Sequence, residues 1–255
     1  MLPAGKIFWS SIGQIGPIIS VIFRKYWFVL LLPALSAYFT VIAFQSGYGV
    51  GDGGGRSFFI GFLFNFAFFL AQTPISISWT EKVVKKSEPI LSFDGRVWST
   101  WGYAFLIWII LLAPIGFIIF AFVALGKEGG MDQYFAGTTA IIASLVWWGM
   151  TQRFCLVMPS IALRNANTRL GRSWNLTKGH NLKIVCIMLP VLIIVIVSSA
   201  IAQAISQALM FDQVSAVLSS VGYGVVLMTT TMLWAEIHGR LFVFFLAPQK
   251  IGEYV

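Results

Sequence analysis

Long uncharged apolar runs alternate with short polar, mostly basic segments along all 255 residues of the chain. Runs of more than about 18 apolar residues are long enough to cross a bilayer as helices, where every backbone polar group is satisfied within the segment. Six such spans are predicted, at about 26–44, 58–79, 103–125, 135–153, 184–210 and 214–235. Residues 5–23 differ from these. Phe8, Ile12, Ile15, Ile19 and Ile22 recur at helical spacing, with Ser11, Gln14 and Ser20 among the polar positions. Gly13, Gly16 and Pro17 weaken the segment as one continuous helix, so it predicts a kinked amphipathic helix lying in the membrane interface.

The connections carry their own signals. GYGVGDGGGR, at 47–56, has no lysine followed by Ser or Thr, so it is a flexible turn and not a phosphate-binding loop. After the second span, Ile90, Phe93, Val97 and Trp101 form an apolar stripe at steps of three and four, a short surface helix that Ser87 or Ser92 could cap. Pro114 interrupts the third span and Pro190 the fifth. Arg153 interrupts the apolar sequence of the fourth, and Glu236 and Arg240 that of the sixth, with FCLVMP and LFVFFLAP resuming beyond them. Both spans run the same way, so Arg153 and Glu236 reach similar depths. A buried charge there needs a partner. Glu236 is the candidate for Arg153, with Arg240, four residues on from Glu236, as the competing intrahelical partner.

Composition agrees with this class: 58% hydrophobic, 10% charged, mean hydropathy +0.85. One all-α polytopic membrane domain over 1–255 is expected, with no cleavable signal peptide and no appended soluble catalytic domain. With both termini on one side, fifteen of the seventeen Lys and Arg fall on that side, leaving Arg56 and Lys127 opposite. The positive-inside rule then makes both termini cytoplasmic. Cys155 and Cys186 fall near that face and are expected to be reduced. Its basic residues, Arg96, Arg172, Lys178 and Lys183 among them, are candidates for anionic headgroups, with Trp98 and Trp174 at the aromatic belt. The same charge is explained by topology alone. Nucleic acid is not expected, since no folded basic domain exists to hold it.

Gly95, Arg96, Trp98 and Pro114 match Gly171, Arg172, Trp174 and Pro190 at one offset of 76, and Gly102 nearly matches Gly179. Each copy reads as surface helix, glycine stop, then a span with a proline part-way. Both copies cross in the same direction, which makes this a parallel repeat; coincidence in a Trp- and Gly-rich chain is the alternative. The second copy, with Pro159, Arg172, Ser173, Trp174, Thr177, Lys178 and Gly179, resembles a bacterial family. This is the membrane domain fused to some glycerophosphodiester phosphodiesterases, with its stand-alone, YciC-like six-span relatives. RNAN at 164–167 stands where such sequences often carry an acidic residue. The resemblance implies a bacterial inner-membrane helical bundle and brings no catalytic residues.

Chemistry is sparse. The two histidines, His180 and His238, stand in separate segments, without metal-ligand spacing or a nucleophile elbow, so no catalytic residue, metal or cofactor is expected. Asn175-Leu-Thr177 matches a glycosylation acceptor on the wrong side of the membrane. Asn65 and Gln72 share a face of the second span, and Gln203 and Gln207 belong to a polar stripe on the fifth; together they are the candidate polar pocket. The expected role is a non-enzymatic accessory, scaffold or lipid-contacting protein of the inner membrane, with lipids and other membrane proteins as partners. A transporter or permease subunit for a lipid or neutral solute is the first alternative. A membrane-embedded lipid enzyme ranks lower, for want of a nucleophile and base.

Overall fold

The computed structural model describes residues 3–45, 54–86, 88, 91, 93–107, 109, 146, 148–164, 170–208 and 213–250. Among them the chain is helical, without strands. In order it forms α1 (Ala4–Ile12), α2 (Ile15–Lys25), a 3-10 turn (Trp27–Leu30), α3 (Leu31–Gln45) and α4 (Gly54–Lys85). Then come α5 (95–107), helical residues 148–151 running into a 3-10 turn (Gln152–Phe154), α6 (Val157–Ala162), α7 (Leu170–Leu176), α8 (Asn181–Ala208) and α9 (Gln213–Lys250).

By length and composition three of these helices can cross a membrane: Phe59–Lys85, Asn181–Ser198 and Val214–Leu246. A fourth is added if α1 and α2, bent by 40° at their junction, are taken as one span. The apolar stretch Trp27–Ala43 is shorter. Most of the predicted third and fourth spans, with Pro114, lies outside the described residues.

The helices overrun the apolar runs that predict them. α4 ends six residues past Trp79 and α9 fifteen past Ala235. The extra turns are packed, with Ile237 and Leu241 fully buried. α4 keeps Pro74 inside it, tolerable in a helix whose neighbours satisfy the freed carbonyl.

Close approaches fix the arrangement. A Cβ on Gly61 would come within 2.9 Å of Thr40 Oγ1, and the rings of Phe39 and Phe64 stack at 5.7 Å, so α3 and α4 form an antiparallel pair. α4 and α9 run parallel: Phe68 lies over Gly224, Gln72 meets Thr231, Trp79 meets Glu236, and Val83 packs on Gly239. α8 packs on α9 with its first turn beside the far end of that helix, where His180 and Phe245 make an edge contact at 5.4 Å. The core joins them: Trp79 and Phe68 from α4, Ile184 and Met188 from α8, Met232 and Leu233 from α9, Leu156, and Ile18 and Ile22 from α2 are all fully buried. α1 and α2 therefore lie against the bundle through Ile7, Ser11, Ile18 and Ile22, a covered face that shares Ile22 with the predicted stripe and includes Ser11, read from sequence as a polar position. Outward, Phe59, Phe62 and Phe66 expose one apolar stripe on α4, and Ile193, Ile196 and Val197 another on α8. Stripes of this size are a surface suited to lipid.

Two local expectations change. α5 starts at Gly95 with Asp94 as its cap, the carboxylate accepting from the Arg96 amide at 2.9 Å; Ser87 and Ser92 lie outside the described residues. Only one of the two proposed stop glycines stops a helix. Gly179 takes φ +80°, a left-handed cap between α7 and α8, whereas α5 runs through Gly102 to 107.

Candidate functional site

The parallel packing of α4 and α9 brings the basic segments together at one end of the bundle. Arg96 links three of them. Its Nε donates to both Asp94 oxygens at 2.9 and 2.8 Å, and its Nη1 to Glu81 on α4 and to the Ala162 carbonyl, each at 2.8 Å. Arg164 reaches Asp94 at 3.0 Å, Lys85 pairs with Glu81 at 3.0 Å, and Lys25 with Glu88 at 3.4 Å. The hydrogen bond from the Arg96 side chain, with that from its amide, holds the Asp94 carboxyl well below the usual carboxylate range, and Asp94 in turn raises Arg96. A depressed carboxylate stabilises the fold above its unfolded value of about 3.9 and loses that contribution as pH falls through the folded value. Asp94→Asn is thus expected to lower the unfolding midpoint at neutral pH and to flatten its decline below about pH 4, read by thermal unfolding against pH.

Beside this network sits the R-S-W segment. The helix carrying Arg153 breaks into the 3-10 turn Gln152–Phe154, which leaves backbone groups to be satisfied from elsewhere. Ser173 Oγ donates to the Arg153 carbonyl at 2.7 Å and accepts from the Leu156 amide at 3.4 Å; Thr177 Oγ1 also reaches the Arg153 carbonyl, at 3.2 Å. The Arg153 guanidinium lies 3.6 Å from the Trp174 ring centroid and donates to the Trp174 carbonyl at 2.7 Å. The motif clamps a broken helix.

This arrangement corrects the ion pair expected from sequence. Glu236 is buried and accepts from Arg240 at 2.7 Å and from Trp79 Nε1 at 2.9 Å, while Arg153 turns to Trp174. The intrahelical alternative is the one formed. The break after Thr151 aims Arg153 at α7, and Trp79 occupies the side of Glu236 that faces α4. A double-mutant cycle is expected to give additive losses for Arg153→Ala with Glu236→Ala. Arg153→Ala with Trp174→Ala should couple by about 1 kcal/mol.

Between α4, α5, residues 148–158 and α9 lies a cavity of about 480 Å³. Gln72, Ser76, Thr80, Tyr103, Thr151, Gln152, Thr230, Thr231 and His238 supply its polar lining, and Phe69, Trp148, Leu227 and Trp234 much of its apolar lining. Among the described residues no Asp, Glu, Lys or Arg lines it. Thr231 donates to Gln72 Oε1 at 2.6 Å, and Tyr103 donates to the Phe154 carbonyl at 3.0 Å. The hydroxyls of Thr80, Thr151 and Thr230 donate back to their own helices, which leaves oxygen lone pairs as acceptors. Three buried atoms of lining residues, Gln72 Nε2, Trp234 Nε1 and His238 Nε2, have no hydrogen-bond partner among the described residues.

The residues singled out from sequence are thus divided. Of the four candidate pocket residues, Gln72 lines the cavity. Asn65, two turns away on α4, is exposed, and Gln203 and Gln207 lie on α8 with side chains outside those described. Arg96 is committed to Asp94 and Glu81, and Trp174 to Arg153, so neither is the open headgroup contact expected of it. Trp98 and Lys178 are exposed; Arg172 and Lys183 are half-buried. His180 packs its ring on Phe245, and both cysteines are free thiols, Cys155 buried and Cys186 exposed. Among the described residues no group of three His, Cys, Asp or Glu side chains could hold a metal ion. Reading the sequence missed the threonines and His238 as cavity residues; their one signal is a cluster of hydroxyls, TTT at 229–231, inside an apolar run.

No protein-family model, curated protein or solved structure matches the chain.

Proposed function

We propose that this chain is a non-enzymatic, six-span protein of the bacterial inner membrane whose basic end faces the cytoplasm and engages anionic lipid headgroups. The observation that carries the reading is the gathering of separate basic segments at one end. The Trp79–Glu236 contact sets the end of α4 beside that of α9, and Arg96 and Arg164 tie 94–97 to 162–164. Lys82, Lys86 and Lys178 have no ion-pair partner among the described residues, and a basic residue well placed at an anionic surface adds about 1 kcal/mol of attraction. The likeness of Pro159, Ser173, Trp174, Thr177 and Gly179 to the YciC-like family supports the same location. The parallel repeat stays part of this proposal, resting on the shared Gly-Arg-x-Trp.

The test is lipid mass spectrometry on protein extracted from native membranes in mild detergent. Anionic phospholipid should be enriched over the bulk membrane, and lost on replacing Lys82, Lys86 and Lys178 with Gln. Retained lipid of bulk composition together with one stoichiometric protein partner would replace this reading with a scaffold. A transporter of neutral solutes is the second reading, favoured by a cavity whose described lining is mostly apolar and uncharged, with a few polar groups.

A further inference from the structure

We infer that the cavity between α4, α5, residues 148–158 and α9 is a binding site for the head of an acylglycerol, an uncharged lipid carrying ester carbonyls and at least one free hydroxyl. The inference rests on the membrane-embedded reading above and deepens it. Three features select this chemistry. First, the lining is mostly apolar, with scattered uncharged polar groups and, among the described residues, no formal charge. A phosphate or ammonium headgroup would be buried there without a counter-charge, at high cost. Second, the lining offers both hydrogen-bonding senses. Gln72 Nε2 and Trp234 Nε1, on two lining residues, are buried donors with no acceptor among the described residues, and an ester carbonyl oxygen brought against them would supply one. Thr80, Thr151 and Thr230 already donate to backbone carbonyls, so their oxygens are placed to accept from a ligand hydroxyl. A pure hydrocarbon would leave the donors unpaired. Third, about 480 Å³ falls within the roughly 300–1,000 Å³ of small-ligand pockets, which suits a glyceryl ester and the first carbons of its chains.

The geometry also says which groups are fixed and which respond. Gln72 is held through its Oε1 by Thr231, so its Nε2 keeps one direction. Recognition by a preset donor favours a ligand with a matching acceptor and penalises one without it.

The test is photo-crosslinking of the full chain in proteoliposomes of phosphatidylethanolamine and phosphatidylglycerol, using a diazirine-bearing diacylglycerol as the probe. Crosslinks are expected in α4 around Ser76 and in α9 around Thr231. Excess unlabelled diacylglycerol should compete them away, and excess phosphatidylglycerol should not. Loss of one buried hydrogen bond, in Gln72→Leu or in Trp234→Phe, should weaken labelling about tenfold. Because Gln72→Leu also removes the Thr231 contact and could disturb folding, Ala104→Phe provides the second variant. It fills the cavity without removing any polar group, and should abolish labelling while the protein still elutes as a single folded species.

Undiminished labelling in all three variants would overturn the proposal. So would competition by phosphatidylglycerol, or labelling confined to the exposed stripes of α4 and α8. If anionic lipid still copurifies while the cavity stays unlabelled, the acylglycerol site fails and the membrane reading stands. If neither lipid associates, both fail.

Discussion

Glu236→Ala is expected to cost about 3 kcal/mol of stability, the lower end of what breaking a buried ion pair costs, because Arg240 is partly exposed. The Glu236 side chain is only 4% exposed and anchors two groups at once. Its removal leaves Trp79 Nε1 without this acceptor inside the core and the partly buried Arg240 guanidinium without its carboxylate. Glu236→Gln keeps an acceptor for Trp79 and should lose less. Unfolding in mixed detergent, followed by tryptophan fluorescence, gives both values. An Ala variant as stable as the parent would mean that the carboxylate does not hold α4 to α9.

Gly224→Leu is the second large effect, expected at about 3 kcal/mol, the upper part of the range for overpacking a filled core. A Cβ there would stand 2.9 Å from Pro33 Cγ, 3.4 Å from Leu30 Cδ2 and 3.6 Å from Phe68 Cζ. The closest neighbour is a proline ring, which cannot swing aside, and Leu30 and Phe68 are themselves buried, so the contact is not relieved cheaply. Gly222, two residues earlier on the same helix, has nothing within 4 Å of its would-be Cβ and is exposed. Gly222→Leu should therefore cost nothing and gain up to about 0.8 kcal/mol from helix propensity. The pair separates a packing cost from the loss of a glycine, because both changes raise helix propensity equally.

The helical class was legible because a bilayer leaves few backbone solutions and the apolar runs are long. The first residues of α8 and α9 fall close to the predicted starts of the fifth and sixth spans for the same reason. Helix ends beyond the hydrocarbon were not. α4 and α9 continue because their extra turns pack on one another through Val83 and Gly239, a contact between residues far apart in sequence. The fate of Arg153 was hidden likewise. Its charge signalled a need for a partner, but the partner is the face and carbonyl of Trp174, made available by a 3-10 break that Ser173 and Thr177 hold from outside the helix. Gln72 stood out as a large amide in an apolar run. Thr80, Thr151 and Thr230 did not, since hydroxyls that bond back to their own helix are compatible with almost any membrane environment. Asn65 shares the face of Gln72 by spacing, yet the cavity lies nearer the basic end of α4, so of the two only Gln72 lines it.

We propose that this bundle crosses the membrane six times with its basic end in the cytoplasm. This topology is tested most directly by single cysteines at Gly54, Gly129, Ser87 and Thr168, introduced into a chain whose Cys155 and Cys186 are replaced by Ala, and by a membrane-impermeant maleimide added to intact cells. Labelling of the Gly54 and Gly129 cysteines, with Ser87 and Thr168 protected until the membrane is opened, is the predicted result. Labelling of Ser87 from outside the intact cell would contradict it.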